Sequence, residues 1–188
     1  GRMAGTLADM GCFSFHPRKV VTTGEGGAVV TADPDLEARL RSLRNHGQHA
    51  DGGLERFTDA GLNYRMPEIC AALGIGQLEV LERTLERRRA LASRLIAHLD
   101  EVPGVRVPAG VRDPGNNVQS FVIDVGRPGR RDAFMARCLE QGVQTTIGTY
   151  AVPAQPVFRD MGIDPAAFPN ALAAMHRLVT LPLHPAMS

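Results

Sequence analysis

Apolar and polar positions alternate, recur or thin out along this chain in ways that mark its elements. Met10 to Phe15 and Ala28 to Thr31 are short apolar runs suited to strands, and the turn formers of TTGEGG lie between them. Asp33 followed by Pro34 reads as an N-cap with proline at the first helical position. Leu36, Leu40 and Leu43 then recur at spacings of four and three, so a helix is expected from about Asp33 to Asn45. From Pro67 the helical period is sustained: Leu78, Leu81, Leu85, Ala92, Leu95 and Leu99 share a face, and the run breaks near Pro103 and Gly104. Glu79 and Arg83 make a favourable i,i+4 pair within it. Gly74 and Gly76 each weaken its first half by about 1 kcal/mol relative to alanine, which predicts a bend or a close backbone contact there.

Between these helices, His46 to Tyr64 has little periodicity and several glycines; it reads as a loop ending in GLNYRMP. Beyond the long helix, VRVP, VQSFVIDV and VQTTIGTY suit strands, and RRDAFMARCLEQG suits a helix stopped by a C-cap glycine. Pro153 to Pro169 is a proline-punctuated loop, followed by a short helix around Ala171 to Leu178. Strand, helix and strand in that order point to a small α/β lobe. There is no internal repeat.

Composition narrows the classes. At 188 residues and 44% hydrophobic the chain can bury a core, and a net charge of +1 with a pI near 8.0 lacks the one-signed field of a protein that grips nucleic acid by its phosphates. No stretch approaches the ~18 apolar residues of a membrane span, and there is no secretory leader pattern. A cytoplasmic protein with no nucleic-acid or membrane partner is expected. Cys12, Cys70 and Cys138 are far apart and form no CxxC pair, so they read as core thiols in a reducing compartment, and the six histidines show no metal-ligand spacing. The opening without methionine and the stop after LPLHPAMS suggest a fragment.

One residue changes the picture. Of 21 basic residues only Lys19 is a lysine. A guanidinium stays protonated, whereas an ε-amine can lose its proton and attack a carbonyl to form an imine, so a chain that otherwise uses arginine keeps a lysine where that chemistry is needed. In an extended CFSFH, Phe13 and Phe15 would face a core, while Ser14 and His16 face the side that Lys19 serves. The glycines of TTGEGG offer backbone N–H groups and allow close approach of an anion or another chain segment. Against this stands the plainer reading of a solvated lysine beside a tight turn. Arg87, Arg88 and Arg89 likewise read first as a solvated helix face, with contact to a diphosphate as the alternative. His184 reads as a loop residue.

The strings GCFSFHPRKVVTTGEGGAVVT, LRNHG, GLNYRMPEICAALGIGQLEVLERTLERRR and LPLHP together resemble the DegT/DnrJ/EryC1/StrS family of sugar aminotransferases, over nearly the whole chain and in the family's order. The resemblance implies a fragment of an α/β fold-type-I aminotransferase dependent on pyridoxal 5′-phosphate. Residues 1–64 would be the C-terminal part of the large cofactor-binding domain, 65–102 a connecting helix and 103–188 an incomplete small α/β domain. It implies a homodimer with shared active sites that moves an amino group, commonly from glutamate as amino-acid donor, to a nucleotide-linked keto sugar. Lys19 takes the position of the lysine that holds the cofactor as a Schiff base and shuttles the proton. Ser14 matches a cofactor-phosphate ligand, and Asn63 one that reaches the phosphate in the neighbouring subunit. Tyr150 falls where the family approaches its substrate, with a buried strand aromatic as the equal alternative; His16 reads first as a structural hydrogen-bonder, with contact to cofactor or substrate as the alternative. The family's glycine-rich phosphate turn, ring-stacking aromatic and acidic partner of the pyridine nitrogen precede these motifs and have no counterpart here. That leaves two alternatives, a non-catalytic remnant or accessory scaffold and a sugar dehydratase using the same cofactor.

Overall fold

The structure is a computed structural model that describes residues 1–51 and 54–187. It divides into two compact units, Gly1–Leu81 and Glu82–Ser188.

In the first unit, strand β1 (Gly11–Ser14) pairs antiparallel with β2 (Gly27–Val30), Ser14 opposite Gly27. Helix α1 (Pro34–Arg44) follows as the sequence predicts. Asp33 Oδ1 accepts from the backbone N–H groups of Asp35 at 2.8 Å and Leu36 at 3.2 Å, relieving two of the orphan donors of the first turn. The expected loop after it instead contains a second antiparallel hairpin, β3 (Gln48–Asp51) with β4 (Leu54–Phe57). Such short strands lack the clean apolar alternation by which a strand is read, and backbone pairing alone defines them.

The long helix is two helices, α2 (Glu68–Glu79) and α3 (Leu81–Leu99). The break is at Val80 (φ −107°, ψ 6°) and not at the glycines, so Glu79 and Arg83 do not share one helix. A Cβ on Gly74 would lie 3.0 Å from Thr23 Cγ2, whereas one on Gly76 would meet nothing. Gly74 is therefore a close-packing glycine and Gly76 is not.

The second unit adds the one-turn α4 (Ala109–Arg112), β5 (Phe121–Asp124), α5 (Arg130–Glu140), the two-residue β6 (Thr146–Ile147), α6 (Pro156–Asp160), α7 (Pro169–Arg177) and β7 (Leu178–Leu181). Its sheet is antiparallel in the order β5-β7-β6. VRVP contributes only a single bridge, Arg106 to Asp124. Helix α5 ends as predicted: Gly142 (φ +75°) follows it, and the N–H groups of Val143 and Gly142 return to Cys138 and Leu139 O at 2.8 and 2.9 Å. Phe121, Ile123, Val125 and Val179 have no exposed surface, and Leu91 and Ala92 of α3 pack into the same cluster.

The run Arg87–Arg89 is a solvated face only at Arg87. Arg88 is 7% exposed and donates to the carbonyls of Leu183 (3.0 Å), Val118 (2.6 Å) and Gln119 (3.0 Å). Arg87 donates to Pro185 and Met187 O, and Arg89 to Asn116 O. Three consecutive arginines thus hold the LPLHP segment and the turn at 116–119. That turn carries Val118 at φ +49°, a strained conformation for a β-branched residue.

Candidate functional site

The site predicted around Lys19 lies in the segment joining β1 to β2. Phe15 N–H donates to Gly26 O at 2.9 Å, extending the hairpin by one bond. Phe15 O then accepts twice, from Thr23 N–H at 3.1 Å and Thr22 Oγ1 at 2.9 Å. Residues 16 to 22 are consequently a closed loop whose two ends meet at one peptide group. Inside it, His16 O accepts from Lys19 N–H at 2.9 Å, and His16 Nδ1 accepts from Arg18 N–H at 3.1 Å. Since Nδ1 is an acceptor, the neutral ring carries its proton on Nε2, which lies 3.9 Å from Glu25 Oε1. His16 is therefore the internal strut of the loop.

The glycine turn departs from the expectation of open amides at Gly24. Gly24 N–H is taken by Thr22 Oγ1 at 3.0 Å, and Thr23 Oγ1 donates to Glu25 O at 2.8 Å. A Cβ on Gly26 would sit 2.6 Å from Thr23 Oγ1 and 3.0 Å from Met66 Cε. The close approach this glycine allows is to another segment of the chain. Thr22 and Thr23, whose only sequence signal was a hydroxyl two residues ahead of a glycine or acidic turn residue, close the loop.

Ser14 and Asn63 share a feature. Ser14 Oγ accepts from His16 N–H at 3.4 Å, which leaves its own hydroxyl hydrogen to donate. Asn63 Oδ1 accepts from Arg65 N–H at 3.4 Å, which leaves its amide NH₂ to donate. Both are exposed side chains, as a ligand contact requires. Phe13 is 42% exposed with its ring over Gly5, so the core expected beneath it is not formed among the described residues.

Asn63 is positioned by pairing LRNHG against GLNYRM. Asn45 and Asn63 form an antiparallel bridge, flanked by bonds from Leu62 N–H to Leu43 O and from Tyr64 N–H to Arg44 O, each 3.0 Å. Arg65 returns across the pair to Asn45 Oδ1. Gly47 permits this join: its φ is +76°, and a Cβ there would fall 1.8 Å from Asp59 O. Ser14, His16 and Lys19 are thus brought together in one turn, whereas no hydrogen bond links Asn63 to them among the described residues. Tyr150 belongs to the second unit, where it follows β6 and is 64% exposed. Among the described residues no cluster could hold a metal ion, and no helix is long and apolar enough to cross a membrane.

Comparison with known proteins follows this geometry. The chain is 31% identical, over its whole length, to the dTDP-4-dehydro-2,3,6-trideoxy-D-glucose 4-aminotransferase of Saccharopolyspora spinosa, of which it covers 50%. It superposes with a TM-score of 0.86 on the crystal structure of DesI in the presence of its TDP-sugar product, at 34% identity, covering 100% of this chain and 48% of that one. The PLP form of Spr1654 from Streptococcus pneumoniae gives a TM-score of 0.88 at 25% identity, again over 100% of this chain and 50% of that one. The chain spans about half the length of the curated relatives it matches. The DegT/DnrJ/EryC1/StrS aminotransferase family matches residues 1–188, and the chain belongs to that family.

Proposed function

We propose that these residues are the lysine-bearing part of a pyridoxal-phosphate-dependent aminotransferase acting on a nucleotide-linked keto sugar, with an amino acid, commonly glutamate, as donor. The observation that carries the reading is the donor set: Ser14 Oγ and Asn63 Oδ1 accept from backbone N–H groups, and among the described residues their donor groups bond to no other side chain or backbone, so they can serve phosphate oxygens. The sole lysine stands in the loop that follows Ser14, tied to it through His16. These residues fit the cofactor's phosphate and aldehyde.

When bound, pyridoxal phosphate supplies the electron sink that lets a donor Cα release its proton. The chain's own residues do the rest. Lys19 Nζ anchors the cofactor covalently and afterwards carries the proton between donor and cofactor carbons. Ser14 Oγ fixes the phosphate from its own subunit. Asn63 Nδ2 fixes it from the neighbouring one, which makes the working unit a homodimer in the cytoplasm. Tyr150 lies on the substrate side, and His16 holds the loop in which Lys19 is presented.

A single-lysine chain makes the test clean. Borohydride reduction of the cofactor-loaded protein, followed by peptide mapping, should place a phosphopyridoxyl group on Lys19. Lys19→Arg should lose the label and the amino-group transfer together. A label that persists in that variant removes Lys19 from the role.

A further inference from the structure

The turn that presents Lys19 hangs on one side chain. His16 O accepts from Lys19 N–H at 2.9 Å, which closes a β-turn over residues 16–19 with Pro17 at its second position. Pro17 has no N–H, so Arg18 supplies the first amide of the turn, and His16 Nδ1 accepts it at 3.1 Å. Nδ1 stands as many bonds from the backbone as the Oδ1 of an asparagine, and it makes here the bond that an asparagine makes to the amide two residues on. Given the role assigned to Lys19, we propose that His16 is a protonation-sensitive latch on this turn, closed while its ring is neutral and open once Nδ1 carries a proton.

The acceptor nitrogen of a neutral imidazole has one lone pair. A proton taken from solvent occupies it, the ring becomes a donor at both nitrogens, and Nδ1–H then faces Arg18 N–H, donor against donor. The ring has to turn away and the amide loses its partner. Glu25 Oε1, 3.9 Å from Nε2, draws an imidazolium toward the glycine turn, weakly because that carboxylate is exposed. Arg18 and Lys19 add positive charge beside the ring from the loop itself. The other segments packed here bring no titratable group among the described residues: Met66 lies against Gly26, and Gly74 of α2 against Thr23.

The loop ends stay fixed while this happens. Thr22 and Thr23 hold them on Phe15 O, and neither threonine titrates. The change is therefore confined to residues 16–19 and falls on the residue that bears the amine. Ser14 is coupled to it, since its Oγ accepts from His16 N–H at 3.4 Å. The sign follows from which form of the ring is bonded: the latch is shut above the midpoint of the ring's titration and released as the pH falls through it. His16 is thus a positioning residue, acting on Lys19 through the turn and not on substrate.

NMR of the full chain, nitrogen-labelled and titrated from about pH 8 to about pH 5, tests the latch without cofactor. In the parent, a nitrogen–nitrogen coupling across the hydrogen bond from Arg18 to His16 Nδ1 is expected at the upper end and should vanish at the midpoint read from the His16 ring resonances. Order parameters of the Arg18 and Lys19 amides should fall together with it. His16→Asn keeps the acceptor and cannot take the proton, so its order parameters should hold across the range, whereas His16→Ala should be loose throughout. Unchanged order in the parent, or a His16→Asn variant that loosens with pH as the parent does, overturns the proposal. Borohydride labelling of the cofactor-loaded protein reads the consequence for Lys19: across the same range the parent should lose about fivefold more phosphopyridoxyl label than His16→Asn, the equivalent of one neutral hydrogen bond. Equal losses would also overturn the latch. No label at any pH in either protein would refute the role of Lys19, with the order parameters still deciding whether His16 releases the turn.

Discussion

Asp124 shows how one carboxylate couples local contacts to solution behaviour. It is 4% exposed at the end of β5, and burial alone would push its pKa up. The hydrogen bond from Arg106 at 2.9 Å, the Gly126 N–H at 2.8 Å and the charge of Arg177 at 3.2 Å outweigh that and hold it below the ordinary aspartate value. A carboxyl depressed in the folded state contributes stability that is present above its unfolded pKa and lost as pH falls through the folded value. Asp124→Asn should therefore cost about 1–3 kcal/mol near pH 7, with the gap to the parent closing below about pH 4, as measured by urea denaturation across pH. A gap that is constant with pH would remove the ionic account. Of such residue-scale detail, sequence singled out Lys19 as a candidate by its uniqueness and predicted the Asp33 cap from its place before Pro34. It did not show Asp124, because Arg106 reaches it through a single bridge and Arg177 only through the β5–β7 pairing.

Elements were legible where local rules are strong. The cap and proline of α1 and the glycine after α5 act within a few residues and were read directly. The β3–β4 hairpin and the break at Val80 were not, since a four-residue strand is defined by its partner and Val80 is no helix breaker by type. The arginine run of α3 misled for a related reason: charge in a row suggests solvent, yet the backbone carbonyls that receive these side chains lie roughly thirty and a hundred residues on. Burial pushes the Arg88 pKa down, but with carbonyls as partners the guanidinium remains a cation held by its fork. Lysine cannot reach three carbonyls in that geometry. Arg88→Lys should destabilise the chain by about 2 kcal/mol or more, while Arg87→Gln, exposed on the same helix, should change stability by about 0.5 kcal/mol or less. Equal effects in guanidinium denaturation would refute the distinction.

At the scale of the molecule the two units differ in what they bury. Every buried apolar residue of the core cluster belongs to the second unit, from Leu91 to Leu183. The first unit leaves Phe13, Val29, Val30, Ile69, Leu73, Ile75 and Leu78 exposed, including apolar positions all round α2. Amide exchange should accordingly be slowest in β5 and β7 and markedly faster in β1 and β2, because opening the latter uncovers little additional apolar surface. Phe121→Ala, which empties a fully buried ring site, should cost about 3–5 kcal/mol and accelerate exchange in β5 and β7 first. Protection that is highest in β1 and β2 would contradict this division. Sequence carried the family and the α/β character through separated motifs, but it placed a core under Phe13 because alternation reports which side is apolar and not whether anything covers it.

The loop that carries Lys19 is pinned at both ends to the carbonyl of Phe15. Its backbone can swing only as one body, a motion of nanoseconds to microseconds, whereas the four-carbon stem of the lysine changes rotamer in picoseconds to nanoseconds. Relocating the amine between two neighbouring atoms thus calls for torsion of one side chain, with the surrounding peptide groups standing still.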